Sequence, residues 1–206
     1  MLTAAVISMW VMNTATTIML LPIGLAVVSV VKTTVSYLSD EDVESFQLAL
    51  LLGIAYGATI GGMSTLIGTG PNGMLAAFMA DNYDLDISFV DWMKVGVPLS
   101  AVMLPCSWFI LTKLIFKVNF ETSSETRELL SSMKEELGKL EGPELKVLIV
   151  FFITAMSWML RTVLDNFYLL SGLSDAGIAM ISALILFLLP SGDKEKKGAL
   201  LEWKDA

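Results

Sequence analysis

Histidine is absent from the 206 residues, and cysteine occurs once, at Cys106. The first absence removes imidazole acid/base catalysis and histidine metal sites. The second removes intrachain disulfides and every CxxC redox or zinc motif. Charge is scarce too: Asp, Glu, Lys and Arg together make up 17% of the chain against 55% hydrophobic residues, and the mean hydropathy is positive. A soluble core of this size cannot hide so much apolar surface, so the composition describes a membrane protein. The net charge of -8 leaves no basic stripe to neutralise phosphates, which excludes a nucleic-acid partner.

Where charge is missing altogether, the bilayer is located. An ionised side chain in hydrocarbon is costly, and a span needs about 20 mostly apolar residues. Residues 1–31, 46–80 and 95–112 hold no charge, and residues 147–160 and 176–192 form two shorter runs. The run from 147 lengthens if Arg161 snorkels or faces protein. Five membrane segments are expected. A signal peptide does not fit the start, because residues 1–31 lack a basic leader and carry Trp10, Asn13, Pro22 and Gly24 inside the apolar run.

Lysine and arginine orient the chain. Lys113, Lys117, Arg127, Lys134, Lys139 and Lys146 fall in or beside the charged stretch 117–146, which reads as an interfacial helix with Glu135 four before Lys139. Lys194, Lys196, Lys197 and Lys204 fall in the tail. Both regions read as cytoplasmic, and the acidic segments 81–91 and 165–175 read as external. Parity alone then puts residues 32–44 inside.

Two of the apolar runs are interrupted. Residues 13–17, Asn-Thr-Ala-Thr-Thr, are a polar cluster at the midpoint of the first run, as expected for the tip of a re-entrant hairpin at mid-bilayer. Residues 46–80 hold seven of the 15 glycines, and Gly68-Thr69-Gly70-Pro71-Asn72 cannot continue a regular helix, so a helix broken there is expected. Irregular backbone is tolerated at that depth only where it is buried in protein or lines a cavity. A hairpin tip and an unwound helix are the elements from which secondary transporters build their sites: free carbonyls with Ser, Thr and Asn oxygens suit a hard monovalent cation, and helix N-termini suit an anion.

Simpler readings exist for each feature. Ser, Thr and Asn often serve as polar glue between membrane helices, and Gly53, Gly57 and Gly61 read as close-packing residues, with Gly57 and Gly61 a small-xxx-small pair. Trp10, Trp92 and Trp108 suit interface anchoring, Arg161 and Asp165 stand four apart as a surface pair, and Cys106 and the 13 methionines read as packing residues.

The surrounding residues resemble a family. Ser8-Met9-Trp10-Val11-Met12-Asn13-Thr14-Ala15-Thr16 is similar to the "SMWxSNTAT" segment of the divalent anion/sodium symporters, carriers of dicarboxylates, citrate or sulfate. The stretch from Gly53 to Asn72 resembles that family's "GIAYxASIGGxxTxxGxxPN", and the similarity runs on to Leu201-Glu202-Trp203-Lys204-Asp205. Carried over by position, the resemblance implies that Ser8 and Asn13 give side-chain oxygens to one sodium ion, with Met12 and Gly68 adding backbone carbonyls. It implies that Asn13, Thr14 and Thr69 face the anionic substrate. Met12 departs from the pattern, standing where the family has serine, so a hydroxyl is lost and only the carbonyl is left for sodium.

Family members resemble two inverted repeats in one long chain, each with a hairpin and a broken helix. Only one set is found here, since Asn-Thr occurs only at Asn13-Thr14. The expectation is therefore an all-α membrane fragment of an elevator-type inverted-repeat carrier, integral to the plasma or inner membrane, its tail cytoplasmic. Its parts are a re-entrant hairpin (1–31), a broken helix and following span (46–116), a cytoplasmic linker (117–146), two scaffold segments (147–192) and a tail (193–206). It supplies one sodium site and half of the site for a small anion in the lipid bilayer; the second half lies on another chain or is missing, and the complete assembly is a homodimer. The alternative is a truncated remnant that does not transport, or a regulatory partner of an intact symporter. An ion channel fits less well, without a ring of acidic pore residues, as does an intramembrane enzyme, without a nucleophile and base in the spans.

Overall fold

The computed structural model describes residues 1–35, 38–116, 126, 128–129, 131–132, 142–164, 174–192 and 198–201. It divides into two compact units, Met1–Leu137 and Gly138–Ala206. The described residues are helical, and their one β-bridge joins Pro190 and Ala199. This is an all-α membrane architecture.

In the first unit, α1 (Leu2–Ser8) and α2 (Asn13–Thr34) are joined by a short turn at residues 9–12. After a capping box in which Ser39 Oγ accepts from the Asp42 amide and Asp42 accepts from the Ser39 amide, both at 3.2 Å, α3 (Asp40–Gly62) begins. The cap carries the helix into the acidic residues ahead of the uncharged run. The backbone then leaves helical geometry until α4 (Gly70–Tyr83) starts behind extended Thr69. The helix interruption thus spans residues 63–69 rather than 68–72. Pro71 stands at the start of α4, where its missing N–H and fixed φ suit a first turn. Next comes α5 (Phe89–Phe109), capped by Ser88 and continued by a wider π-type turn at Ile110–Ile115.

Glycines set the packing. A Cβ on Gly57 would sit 2.6 Å from the Met1 carbonyl oxygen and one on Gly61 2.1 Å from that of Ala5, so α1 lies backbone to backbone along one face of α3. Met1 near Gly53 and Gly57, with Ala5 at Gly61, makes α1 run parallel to α3. Asn13 at Gly62 and Gly24 against Ile54 make α2 run back antiparallel to it. The turn between α1 and α2 therefore meets the end of α3 where the helix stops. Against that same end lies α5: Ser100 Oγ donates to the Ile60 carbonyl (2.8 Å), Trp92 Nε1 to that of Met63 (3.0 Å), and Gly96 leaves room for the Met63 and Ser64 oxygens.

The second unit is a helical hairpin of α6 (Gly142–Met159), the short α7 (Arg161–Leu164) and α8 (Asp175–Leu188). At one end Trp158 Nε1 donates to the Asp175 carbonyl (3.0 Å), and at the other Lys146 Nζ donates to the carbonyls of Pro190 (2.9 Å) and Ser191 (3.1 Å). The Thr154 and Ser182 hydroxyls, 2.7 Å apart, join the helices midway. Arg161 approaches Asp175, with 3.4 Å between Nη1 and Oδ2; Asp165, its expected partner, lies outside the described residues, as do 165–173, 193–197, 202–206 and most of 117–141.

Among the described residues α2, α3, Phe89–Ile115 and α6 are long and apolar enough to cross a membrane. The fifth expected segment, α8, has 14 residues and about 21 Å of length, less than a typical hydrocarbon core. Large apolar side chains stand outward on all of these helices, among them Ile18, Val95, Phe152 and Leu188. Lipid is the medium that accommodates such a surface.

Candidate functional site

Four helix ends meet at one place in the first unit. They are the last residue of α1, the first of α2, the C-terminus of α3 and the approach to α4. Ser8 is fully buried there, Gly68 is buried, and Asn13 is half-buried. The Ser8 hydroxyl is 2.8 Å from an Asn13 amide atom, and that same atom lies 3.2 Å from the carbonyl oxygens of both Gly68 and Ala58. With its nitrogen on this side, the Asn13 amide donates into the group of oxygens. With its oxygen there, it accepts from Ser8 and confronts two carbonyls whose lone pairs repel it. A cation among these oxygens reverses the preference.

Glycine makes the approach feasible. A Cβ on Gly62 would fall 2.0 Å from Asn13 Oδ1, and one on Gly68 would fall 2.5 Å from the Gly62 oxygen and 2.9 Å from that of Ser8. Neither position accommodates a side chain without moving the site.

The remaining expected residues lie at the rim. Met12 precedes α2 with an extended backbone, its side chain exposed and its carbonyl accepting from the Thr16 amide at 3.0 Å. One lone pair on that oxygen is thereby used and the other is left. Thr14, in the first turn of α2, is exposed, and Thr69, which precedes α4, is half-exposed. Neither α2 nor α4 has a side-chain cap on its N-terminus. Two helix N-termini, each with the positive end of a peptide dipole, therefore start beside the Ser8–Asn13–Gly68 group.

Ser8, Asn13 and Gly68 are thus brought together, with Met12, Thr14 and Thr69 around them. Sequence reasoning passed over Ala58, Gly62, Thr65 and Asn72. Thr65 Oγ1 donates to the Met9 carbonyl in the α1–α2 turn and accepts from the Gly68 amide (3.1 Å). Asn72 Nδ2 donates to the carbonyls of Gly62 (2.9 Å) and Thr65 (2.7 Å). The fixed Thr and Asn of the family motif, three residues before and four after Gly68, were the available signal. Among the described residues no three carboxylate or thiol groups cluster, so the oxygens gathered here are neutral ones.

The citrate transporter family model matches residues 1–204. The chain is also similar to the sodium-dependent dicarboxylate transporter SdcS of Staphylococcus saprophyticus, at 35% identity over 208 residues, covering 100% of this chain and 40% of the relative. The protein of the same name from Staphylococcus aureus strain USA300 is 30% identical over the same length, with the same coverage. The chain therefore spans 40% of the length of these curated relatives.

Proposed function

The chain belongs to the citrate transporter family, and from that premise we propose that it forms the ion- and anion-binding part of a sodium-coupled carrier of di- or tricarboxylates or sulfate. Ser8, Asn13 and Gly68 hold one sodium ion, with the second lone pair of the Met12 carbonyl completing the set. The observation that carries this reading is the convergence of Ser8 Oγ (2.8 Å) and the Gly68 carbonyl (3.2 Å) on one Asn13 amide atom at the point where two helices begin. Neutral oxygens suit a monovalent hard cation, and the low charge density of the site disfavours a divalent one.

The anion binds on the outer side of the ion. Asn13, Thr14 and Thr69 supply its polar contacts, and the uncapped amides of α2 and α4 supply partial positive charge. Sodium offsets part of the negative charge of a divalent substrate, so each ligand strengthens the other's binding. Half of the anion contacts come from this region; a second hairpin and broken helix supply the rest. The hairpin, the broken helix and the following span form the moving part of an elevator-like alternation in a homodimer, residues 147–192 belong to the scaffold, and the lysine-rich tail faces the cytoplasm. It is a carrier and not an enzyme.

The test is uptake of labelled succinate, citrate and sulfate into liposomes containing the purified chain, with sodium or potassium outside, together with thermal stabilisation by the two cations. Sodium-specific stabilisation is expected, setting in near the dissociation constant of the site and growing with the logarithm of the sodium concentration above it. Equal responses to sodium and potassium would sink the assignment of the ion site. Sodium-dependent uptake by this chain alone would show that its copies assemble a complete anion site, against the half-site reading.

A further inference from the structure

Gly68 is an awkward residue to rely on for a carbonyl of fixed direction. Lacking a Cβ, it has wide backbone freedom, and it lies near the end of the seven non-helical residues between Gly62 and Gly70. Its direction is set by neighbours. The Thr65 hydroxyl, fully buried, sends its single proton to the Met9 carbonyl and receives the Gly68 N–H on its lone pair. One hydroxyl therefore connects the turn that carries Asn13 with the peptide before the Gly68 carbonyl. Asn72, also buried, uses both N–H groups of its amide to tie the first turn of α4 to Gly62, where α3 ends, and to Thr65 itself.

We propose that Thr65 and Asn72 are positioning residues for the cation, holding the Gly68 carbonyl against Asn13 and so fixing the size of the oxygen cage. The inference rests on the assignment of Gly68 and Asn13 to the sodium site. Its content is selectivity. A cage held at one size favours one ionic radius, whereas a cage that relaxes accepts smaller and larger cations alike. Outer partners of this kind change metal affinity by about 10–100-fold in other sites. Ser100 gives the natural contrast: its hydroxyl makes a buried bond from α5, 2.8 Å to the Ile60 carbonyl, whose acceptor lies inside α3 rather than in the loop.

The experiment uses the full purified chain in lipid nanodiscs and reads the thermal shift against sodium, lithium and potassium at constant ionic strength. Thr65→Val is expected to raise the sodium concentration at which stabilisation sets in about tenfold and to bring the sodium-to-lithium ratio of these concentrations toward one, with Thr65→Ser restoring both. Asn72→Ser is expected to move the ratio in the same direction, and it decides the matter alone if Thr65→Val does not fold. Ser100→Ala is expected to lower the melting temperature and leave the ratio unchanged. If Thr65→Val and Asn72→Ser behave like Ser100→Ala, the positioning role is wrong while the ion site stands. If instead the wild-type chain does not separate sodium from potassium, or Asn13→Leu keeps the full sodium response, the ion site itself is wrong and the inference falls with it.

Discussion

At the scale of single residues the site depends on what is missing as much as on what is present. Gly62 contributes no atom to the cage, yet a methyl group there would overlap the Asn13 amide, 2.0 Å from Oδ1. Gly62→Ala is therefore expected to push the amide out of the oxygen group and weaken sodium affinity about tenfold, read as a thermal response displaced to about tenfold higher sodium, with a smaller effect on the melting temperature in potassium. Met12 presents the opposite case. Its backbone precedes α2 in the extended geometry of an N-cap, but a thioether cannot accept from the first-turn amides as a hydroxyl does. Met12→Ser is expected to stabilise the protein by about 1 kcal/mol, measured as a raised melting temperature in the absence of sodium. An unchanged or lowered melting temperature would mean that the amides of Thr14 and Ala15 are already satisfied.

At the scale of elements, absence of charge located the helices well and their ends poorly. The uncharged run begins at residue 46, whereas α3 begins at Asp40, because Ser39 and Asp42 close a capping box in polar sequence. Ser88 and Asp91 carry α5 back in the same way, to Phe89 from a run that starts at residue 95. The interruption after α3 was legible as a fact and misplaced by a few residues. Gly68-Thr69-Gly70-Pro71-Asn72 contains the strongest breakers, but Pro71 starts a helix as readily as it ends one, and α3 stops earlier, where Gly61 and Gly62 are filled by backbone from α1 and by Asn13. The family resemblance singled out Ser8, Asn13 and Gly68. Its motif also contains Thr65 and Asn72 but does not show what they do, since their partners are carbonyls whose positions depend on the path of the loop. The same geometry separates glycines by role. Gly61→Ala would force a Cβ to 2.1 Å from the Ala5 oxygen and is expected to cost about 1–3 kcal/mol by prising α1 from α3. Gly73→Ala meets nothing within 4 Å on exposed α4 and is expected to stabilise by up to about 1 kcal/mol. Melting temperatures of the two variants, measured side by side, check both signs.

At the scale of the whole molecule, the chain's two units divide the chemistry unequally. Every residue assigned to the ion and its substrate lies in Met1–Leu137. The second unit offers hairpin-stabilising contacts instead: Lys146 on the carbonyls that follow α8, Trp158 and Arg161 on Asp175, and paired hydroxyls at Thr154 and Ser182. This division makes a regional prediction. Sodium that binds only the folded site stabilises the segments that must open to release it, and those are residues 8–17 from the hairpin turn and 58–72 across the interruption of α3. Hydrogen–deuterium exchange on the full chain should therefore show sodium-specific protection in these two segments, with α6 and α8 exchanging alike in sodium and potassium. Residues 96–100 of α5 should gain protection too, because Gly96 and Ser100 pack directly on the end of α3. Protection confined to α6 and α8 would move the ion site out of the first unit. Protection spread evenly over both units would mean that the ion acts on the fold as a whole, and the local cage of Ser8, Asn13 and Gly68 would lose its support.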